Sequence, residues 1–293
     1  NGYLYSHFNI FYNLTVKKYE PEQGLHAPID KAYIINSGDL ISLLGESLNN
    51  EIEALIFMGD YTNTKWLKKD TLKNVKAVFY GICHDDYYPI SQIEVPDIEV
   101  ILKAYPNLKM LQIRGSDGYR SFRSENWQNF NDLKHQNLQA LIIESGGLGR
   151  NKIAHIFSAE LPALEHLELW LGSSSYGGNS SVEDLLPIFS DELFPNLHSL
   201  GLRNSEYTND IAATIVNYPI MNKIKILDLS LGNLTDEGAE VLIDCPIINK
   251  LEVLNVADNC LSDDMIDTLK NLDVEVIVGT QKHPDERYCS VSE

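Results

Sequence analysis

Apolar residues recur along this chain in one three-position figure, in which a first apolar residue is followed by others three and five places later. Its clearest copies are Leu138/Leu141/Ile143, Leu164/Leu167/Leu169, Leu197/Leu200/Leu202, Ile224/Leu227/Leu229 and Leu251/Leu254/Val256. Earlier copies are Ile52/Leu55/Phe57, Val75/Val78/Tyr80 and Leu108/Leu111/Ile113. Successive copies begin 23, 33, 30, 26, 33, 27 and 27 residues apart. The last two apolar positions of each copy are two residues apart, so in an extended strand they point to the same face. A repeat of this length marks an array of small supersecondary units, none of which can bury its apolar face alone. The pattern therefore predicts strands stacked side by side in a parallel sheet, each followed by a returning helix.

The segments between copies carry helix signals. Thr235-Asp-Glu-Gly-Ala-Glu-Val-Leu-Ile-Asp opens with a capping residue and first-turn acids, and Ala239, Leu242 and Ile243 supply an apolar stripe. Ser181-Val-Glu-Asp has capping-box spacing, and Ser262-Asp-Asp-Met and Asn209-Asp-Ile-Ala begin similar runs. Ile29/Ala32/Ile34 predicts an extra leading strand, followed by a helix over Asp39–Leu48. Ahead of it, Phe8, Ile10, Tyr12, Leu14 and Val16 alternate as one strand would. The expected organisation is an N-terminal cap over 1–28, one repeat domain over 29–280 with a last strand at Val274–Val278, and a polar tail over 281–293. Loops at 83–91, 115–127 and 172–181 leave the C-terminal ends of strands and should line one rim.

The last repeats, Leu227-Asp-Leu-Ser-Leu-Gly-Asn-Leu-Thr-Asp-Glu-Gly-Ala and Leu254-Asn-Val-Ala-Asp-Asn-Cys-Leu-Ser-Asp, resemble the ribonuclease-inhibitor-like subclass of leucine-rich repeats. Glu160-Leu-Pro-Ala-Leu-Glu-His-Leu-Glu-Leu-Trp-Leu-Gly, Tyr176-Gly-Gly, Leu200-Gly-Leu-Arg-Asn-Ser and Arg287-Tyr-Cys-Ser-Val-Ser-Glu are similar to an uncharacterised bacterial leucine-rich-repeat family. The resemblance implies an α/β leucine-rich-repeat solenoid, a horseshoe with a curved parallel sheet on its concave face and helices on its convex face. It implies no activity.

Composition narrows the partners. The formal charge is −19, from 42 acidic and 23 basic residues, with no basic face to displace counterions from nucleic acid. The acids coat exposed helices for solubility or steer a basic protein partner. No run of 18 apolar residues occurs, so a membrane span is not expected, and the start of the chain lacks the basic end and apolar run of a signal peptide. Cys83, Cys245, Cys260 and Cys289 show neither metal-site spacing nor a staple pattern, which points to reduced structural thiols and a cytoplasmic location.

Stacking gives the side chains between the core leucines a fixed address. The first row across the strands reads Ile56, Phe79, Gln112, Ile142, Glu168, Gly201, Asp228, Asn255; the second reads Met58, Gly81, Arg114, Glu144, Trp170, Arg203, Ser230, Ala257. Arg114, Glu144, Trp170 and Arg203 fall on consecutive strands, with His166, Glu168 and Asp228 beside them. An exposed Trp flanked by two Arg is the composition of an interface hot spot. The same residues could instead form a cross-strand charge ladder on which Trp170 packs. The apolar positions Ile56, Met58, Phe79 and Ile82 are either covered by the N-terminal segment or form an exposed patch for a partner.

Enzyme signatures are weak. Ser145-Gly-Gly-Leu-Gly-Arg sits where a phosphate loop would but lacks the Lys-Ser/Thr of a P-loop. His84-Asp85-Asp86 and His283-Pro-Asp-Glu lack metal-site spacing. His166 and Glu168 share a strand face as an acid–base pair, with no nucleophile evident in sequence. The chain is accordingly expected to be a protein–protein interaction module without catalytic residues, metal or cofactor. It would grip a protein partner, a basic one fitting its charge, through Arg114, Glu144, His166, Glu168, Trp170, Arg203 and Asp228, with the rim loops setting specificity. The alternative is a small-ligand binder or enzyme using those loops, with Tyr119 or Tyr176 closing a pocket.

Overall fold

The structure is a computed structural model that describes residues 10–36, 38–58, 72–82, 90, 93, 98–115, 133–283, 285 and 287–291. These contain twelve strands, nearly all paired in parallel, and seven α-helices. The chain separates into two compact units, one of residues 1–142 with 159–162, the other of residues 143–158 with 163–293.

In the first unit, β1 (Ile10–Phe11), β2 (Leu14–Lys18), β3 (Lys31–Ile35), β4 (Ala54–Met58), β5 (Ala77–Ile82) and β6 (Met110–Arg114) lie side by side in chain order. Helix α1 (Asp39–Gly45) follows β3 and α2 (Ile98–Ala104) precedes β6. The leading strand is as the apolar spacing predicts, and the helix after it ends at Gly45, short of Leu48. The alternation from Phe8 to Val16 resolves differently from one continuous strand. Tyr12 and Asn13 both take positive φ (53° and 60°), and β1 folds back antiparallel on β2, pairing Ile10 with Thr15 and Phe11 with Leu14. Two consecutive left-handed residues make the turn whose twist suits a tight hairpin. Period-two alternation survives a two-residue turn, so the sequence pattern alone reads as a single strand.

That hairpin answers the question posed by the apolar residues between the core leucines. Phe11, Ala32, Ala54, Ile56, Met58, Ala77 and Phe79 form a buried cluster, with Tyr12, Leu14 and Val16 packed against it. The Phe11 and Phe79 rings lie 6.1 Å apart. All five residues of β4 are buried, so both faces of this part of the sheet are covered. The side chain of Ile82 lies outside the described residues. The register Ile56↔Phe79↔Gln112 holds as read from sequence, but Met58 pairs with Ile82 rather than Gly81 because of an irregularity after Phe57. Gly81 takes φ +113°, and any Cβ there would run into the Arg114 carbonyl oxygen.

Strand β7 (Ala140–Glu144) spans the division of the chain. The second unit continues with α3 (Arg150–Phe157), β8 (His166–Gly172), α4 (Leu186–Phe189), β9 (Ser199–Ser205), α5 (Thr208–Ile215), β10 (Ile226–Asp228), α6 (Asp236–Ile243), β11 (Val253–Asn255), α7 (Asp263–Leu269) and β12 (Glu275–Ile277). Strands β8 to β12 pair in parallel in chain order. Leu167, Leu200, Leu227 and Leu254 stand in one fully buried row, as do Leu169, Leu202, Leu229 and Val256. Each such side chain contributes about 1.5–3 kcal/mol by leaving water. A left-handed residue recurs at the C-terminal ends of β9, β10 and β11, with Asn204 near the end of β9 and Leu231 and Asp258 in the turns beyond β10 and β11, at φ 53°, 67° and 55°. Asn259, fully buried, stitches two of these turns: its amide donates to the Leu229, Val256 and Ala257 carbonyls, and its oxygen accepts from Leu234 N–H.

Ser262 caps α7 through Met265 N–H, and Ser181 and Asp184 form the expected capping box, although the helix it opens is a single tight turn over 182–185. Thr235 departs from its expected capping role. Its hydroxyl accepts from Asn209 Nδ2 and its N–H donates to Asn209 Oδ1, which ties α6 to the preceding repeat.

Candidate functional site

On β8 to β11 the face between the leucine rows is polar. The register sets Glu168, Gly201, Asp228 and Asn255 in one line, and Trp170 opposite Arg203 in the next. Glu168 lies at the centre. Its Oε1 accepts from Trp170 Nε1 at 2.6 Å and from Arg203 Nη1 at 2.8 Å, and its Oε2 faces His166 Nε2 at 3.6 Å. It reaches Arg203 by leaning over Gly201, where an added Cβ would sit 3.0 Å from Glu168 Cγ. A side chain larger than hydrogen there would push the carboxylate aside.

Arg203 is held from three sides. Its Nε donates to Ser230 Oγ at 2.9 Å and stands 3.6 Å from Asp228 Oδ2, and its guanidinium lies 4.9 Å over the Trp170 ring. Asp228 in turn accepts from Ser230 N–H and Asn255 Nδ2. Burial acts to raise the Glu168 pKa, but His166, the charge of Arg203 and the hydrogen bonds from Trp170 and Arg203 outweigh it and bring it to about 2. The carboxylate is therefore ionised throughout the physiological range. Two carboxylates and one guanidinium leave this row with a net negative charge.

The expectation of an exposed Trp170 is corrected. The residue is only 4% exposed, because its indole N–H is directed to Glu168 and Arg203 covers its ring. It is the floor of the row rather than a projecting anchor. Glu144 is also buried. Arg114 is half-exposed on β6 of the first unit. His166, Glu168, Trp170, Arg203 and Asp228 are brought into one continuous network of the second unit.

Ser199 belongs to this network and was not singled out from sequence. Its Oγ lies 2.7 Å from His166 Nδ1, across the pairing of β8 with β9. The signal was available in the register, since Ser199 stands opposite His166 once Leu167 and Leu200 are aligned. Ser199, His166 and Glu168 thus follow one another as hydroxyl, imidazole and carboxylate. Ser199 is buried at the start of β9, and its own N–H and that of His198 are both committed to the Glu165 carbonyl, so neither is left for an oxyanion.

The glycines of Ser145-Gly-Gly-Leu-Gly-Arg have a packing role. Ser173 N–H donates to the Gly146 carbonyl at 2.8 Å, Leu148 N–H to that of Leu171 at 2.8 Å, and a Cβ on Gly147 or Gly172 would collide with the facing main chain. Arg150 then holds the 172–181 loop through the Asn179 carbonyl, while Asn179 Oδ1 accepts from Arg150 N–H. Loop 83–91 apart from Ile90, loop 116–127, Cys83, His84-Asp85-Asp86 and Tyr119 lie outside the described residues. Cys245, Cys260 and Cys289 are free and buried. Among the described residues, no His/Cys/Asp/Glu group is placed to hold a metal ion, and no helix is long and apolar enough to cross a membrane.

No protein-family model matches this chain, and no curated protein matches it. Among solved structures it is similar to a crystal structure of a Bacteroides fragilis protein, a structural-genomics target, with a TM-score of 0.75 and 26% identity. The match covers 88% of this chain and 74% of that one.

Proposed function

We propose that this chain is a recognition module built as a leucine-rich-repeat solenoid of the ribonuclease-inhibitor-like kind, a horseshoe whose concave sheet face binds a protein partner. The observation that carries the reading is the polar row on β8 to β11. The equivalent face of β4 and β5 is apolar and closed by the N-terminal hairpin, whereas the row keeps His166, Arg203, Asp228 and Asn255 partly open to solvent. A charged row fixed in advance by internal bonds binds without ordering flexible side chains, which lowers the entropic cost of association. Its net charge, with −19 over the chain, favours a partner presenting cationic side chains. His166, Glu168, Arg203 and Asp228 make or brace the contact, and Trp170 supports Arg203 from beneath.

The test is affinity capture from native-host lysate with three full-length proteins of matched folding. These are the wild type, a His166→Glu/Asn255→Lys variant of the row, and a Glu237→Lys/Asp264→Lys control on exposed helix positions. The reading expects a protein retained by wild type and control and lost by the row variant. Equal retention by all three would overturn it.

A further inference from the structure

The polar segment after residue 280 is seated on the second unit. Lys282 N–H donates to the Asn259 carbonyl at 2.7 Å, and Lys282 Nζ to the carbonyls of Gly232 and Tyr288, both at 2.5 Å, and to Ser290 Oγ at 3.2 Å. Ser290 N–H donates to the Leu231 carbonyl at 2.8 Å and its hydroxyl to that of Asp258 at 3.3 Å. Val291 is read on both sides of its main chain by a single side chain. Asn204 Oδ1 accepts its N–H at 2.9 Å and Asn204 Nδ2 donates to its carbonyl at 2.6 Å. Cys289 is buried beneath this run.

The receiving surface is made by the fold itself. Asn204, near the end of β9, and Leu231 and Asp258, just beyond β10 and β11, all take left-handed φ, and they present a carboxamide and two carbonyls to the segment. Asn204 is fully buried, and its amide is braced from behind by the Ser145 carbonyl at 3.3 Å. A carboxamide offers both a donor and an acceptor, the complement of one peptide unit, and main-chain pairing of this kind accepts an extended peptide largely irrespective of its sequence. Selectivity would come from the buried Cys289 position, which admits a small apolar side chain, and from the hydroxyl at 290.

We propose that this rim is a docking groove for a peptide carrying a small apolar residue followed by Ser, and that residues 287–291 occupy it in cis as a displaceable strap. Because the strap is tethered, its effective concentration at the groove keeps a free peptide out until the strap is released. The groove is distinct from the polar row, and the proposal stands or falls independently of partner binding there.

The test uses full-length protein and a fluorescein-labelled peptide with the sequence of residues 285–293, kept reduced, measured by fluorescence anisotropy. A Ser290→Pro/Val291→Pro variant removes both main-chain N–H donors of the strap without altering the groove. Trypsin should cleave after Arg287 faster in this variant than in wild type, while the amides of β8 to β10 keep their protection from hydrogen exchange. The peptide should bind this variant at least about tenfold more tightly than wild type, as release of a tethered competitor requires. Adding Asn204→Gly, which suits the left-handed φ and removes only the carboxamide, should weaken peptide binding about tenfold through loss of two hydrogen bonds. Unchanged tail protection in the proline variant, or no peptide binding once the tail is free, overturns the proposal. Binding indifferent to Asn204→Gly overturns it as well.

Discussion

Replacing Glu168 by Gln removes one charge from the centre of the polar row and leaves its shape. The folded carboxyl titrates near 2 rather than at the ordinary value of about 4.3. That difference corresponds to about 3 kcal/mol of folding stability at neutral pH, at about 1.4 kcal/mol per pKa unit. Because the folded pKa is depressed, the contribution is complete above the unfolded value and is lost as pH falls toward 2. About half should be gone by pH 3. Gln retains a carbonyl for Trp170 and Arg203, so the expected loss is the charge-dependent part, about 2–3 kcal/mol at pH 7. Trp170 is the one Trp in residues 143–158 and 163–293, so Trp66→Phe/Trp127→Phe chains report on the second unit through its fluorescence. Urea unfolding of this background, with and without the Glu168→Gln substitution, should give a large difference at pH 7 that shrinks by about half at pH 3. A difference below about 0.5 kcal/mol at pH 7, the worth of an exposed ion pair, would mean that the Glu168 charge does not hold the row together. So would one that does not change between the two pH values.

Further outcomes follow from the same geometry. Gly201→Ala should destabilise the second unit by about 1–2 kcal/mol, as overpacking does, and Gly201→Val by more; urea unfolding measures both. Leu227→Ala should cost about 2–5 kcal/mol by opening a cavity in a fully buried row. Phe11→Ala should loosen the hairpin over Ile56, Met58 and Phe79 and raise binding of an apolar dye, whereas the exposed Ile10→Ala should not. Burial lowers the Lys152 pKa to about 7, so its charged form opposes folding at neutral pH. The unfolded chain keeps that proton up to about 10.4, and stability should rise from pH 7 to 10 relative to Lys152→Met, as seen by unfolding at several pH values.

What the sequence made legible was the part of the structure governed by local periodicity. Every residue of the eight apolar triplets is buried, and the cross-strand rows from Glu168 to Asn255 and from Trp170 to Arg203 stand where alignment of the leucines places them. The departures arise where tertiary contacts decide. Tyr12 and Asn13 turn the chain without disturbing its alternation, and Thr235 exchanges a capping role for bonds to Asn209. Trp170 occupies the expected row position, but its burial depends on how Arg203 and Glu168 close over it, which no spacing encodes. Ser199 was hidden because a serine in a strand has no motif of its own until the strand beside it supplies His166. The composition of 281–293 marks a polar tail and does not say where it sits; its bonds run chiefly through main chain, Lys282 and Asn204, features that composition does not show.

If the polar row on β8 to β11 is the binding surface, site-specific photo-crosslinking from that row captures the partner in place. A photoreactive residue is placed at His166 or at Asn255, and separately at Glu240 on the exposed side of α6, in full-length protein irradiated in native-host lysate. One protein adduct is expected at both positions 166 and 255 and not at 240. Adducts at 240 with none at 166 or 255 would contradict it and move recognition to the helical side.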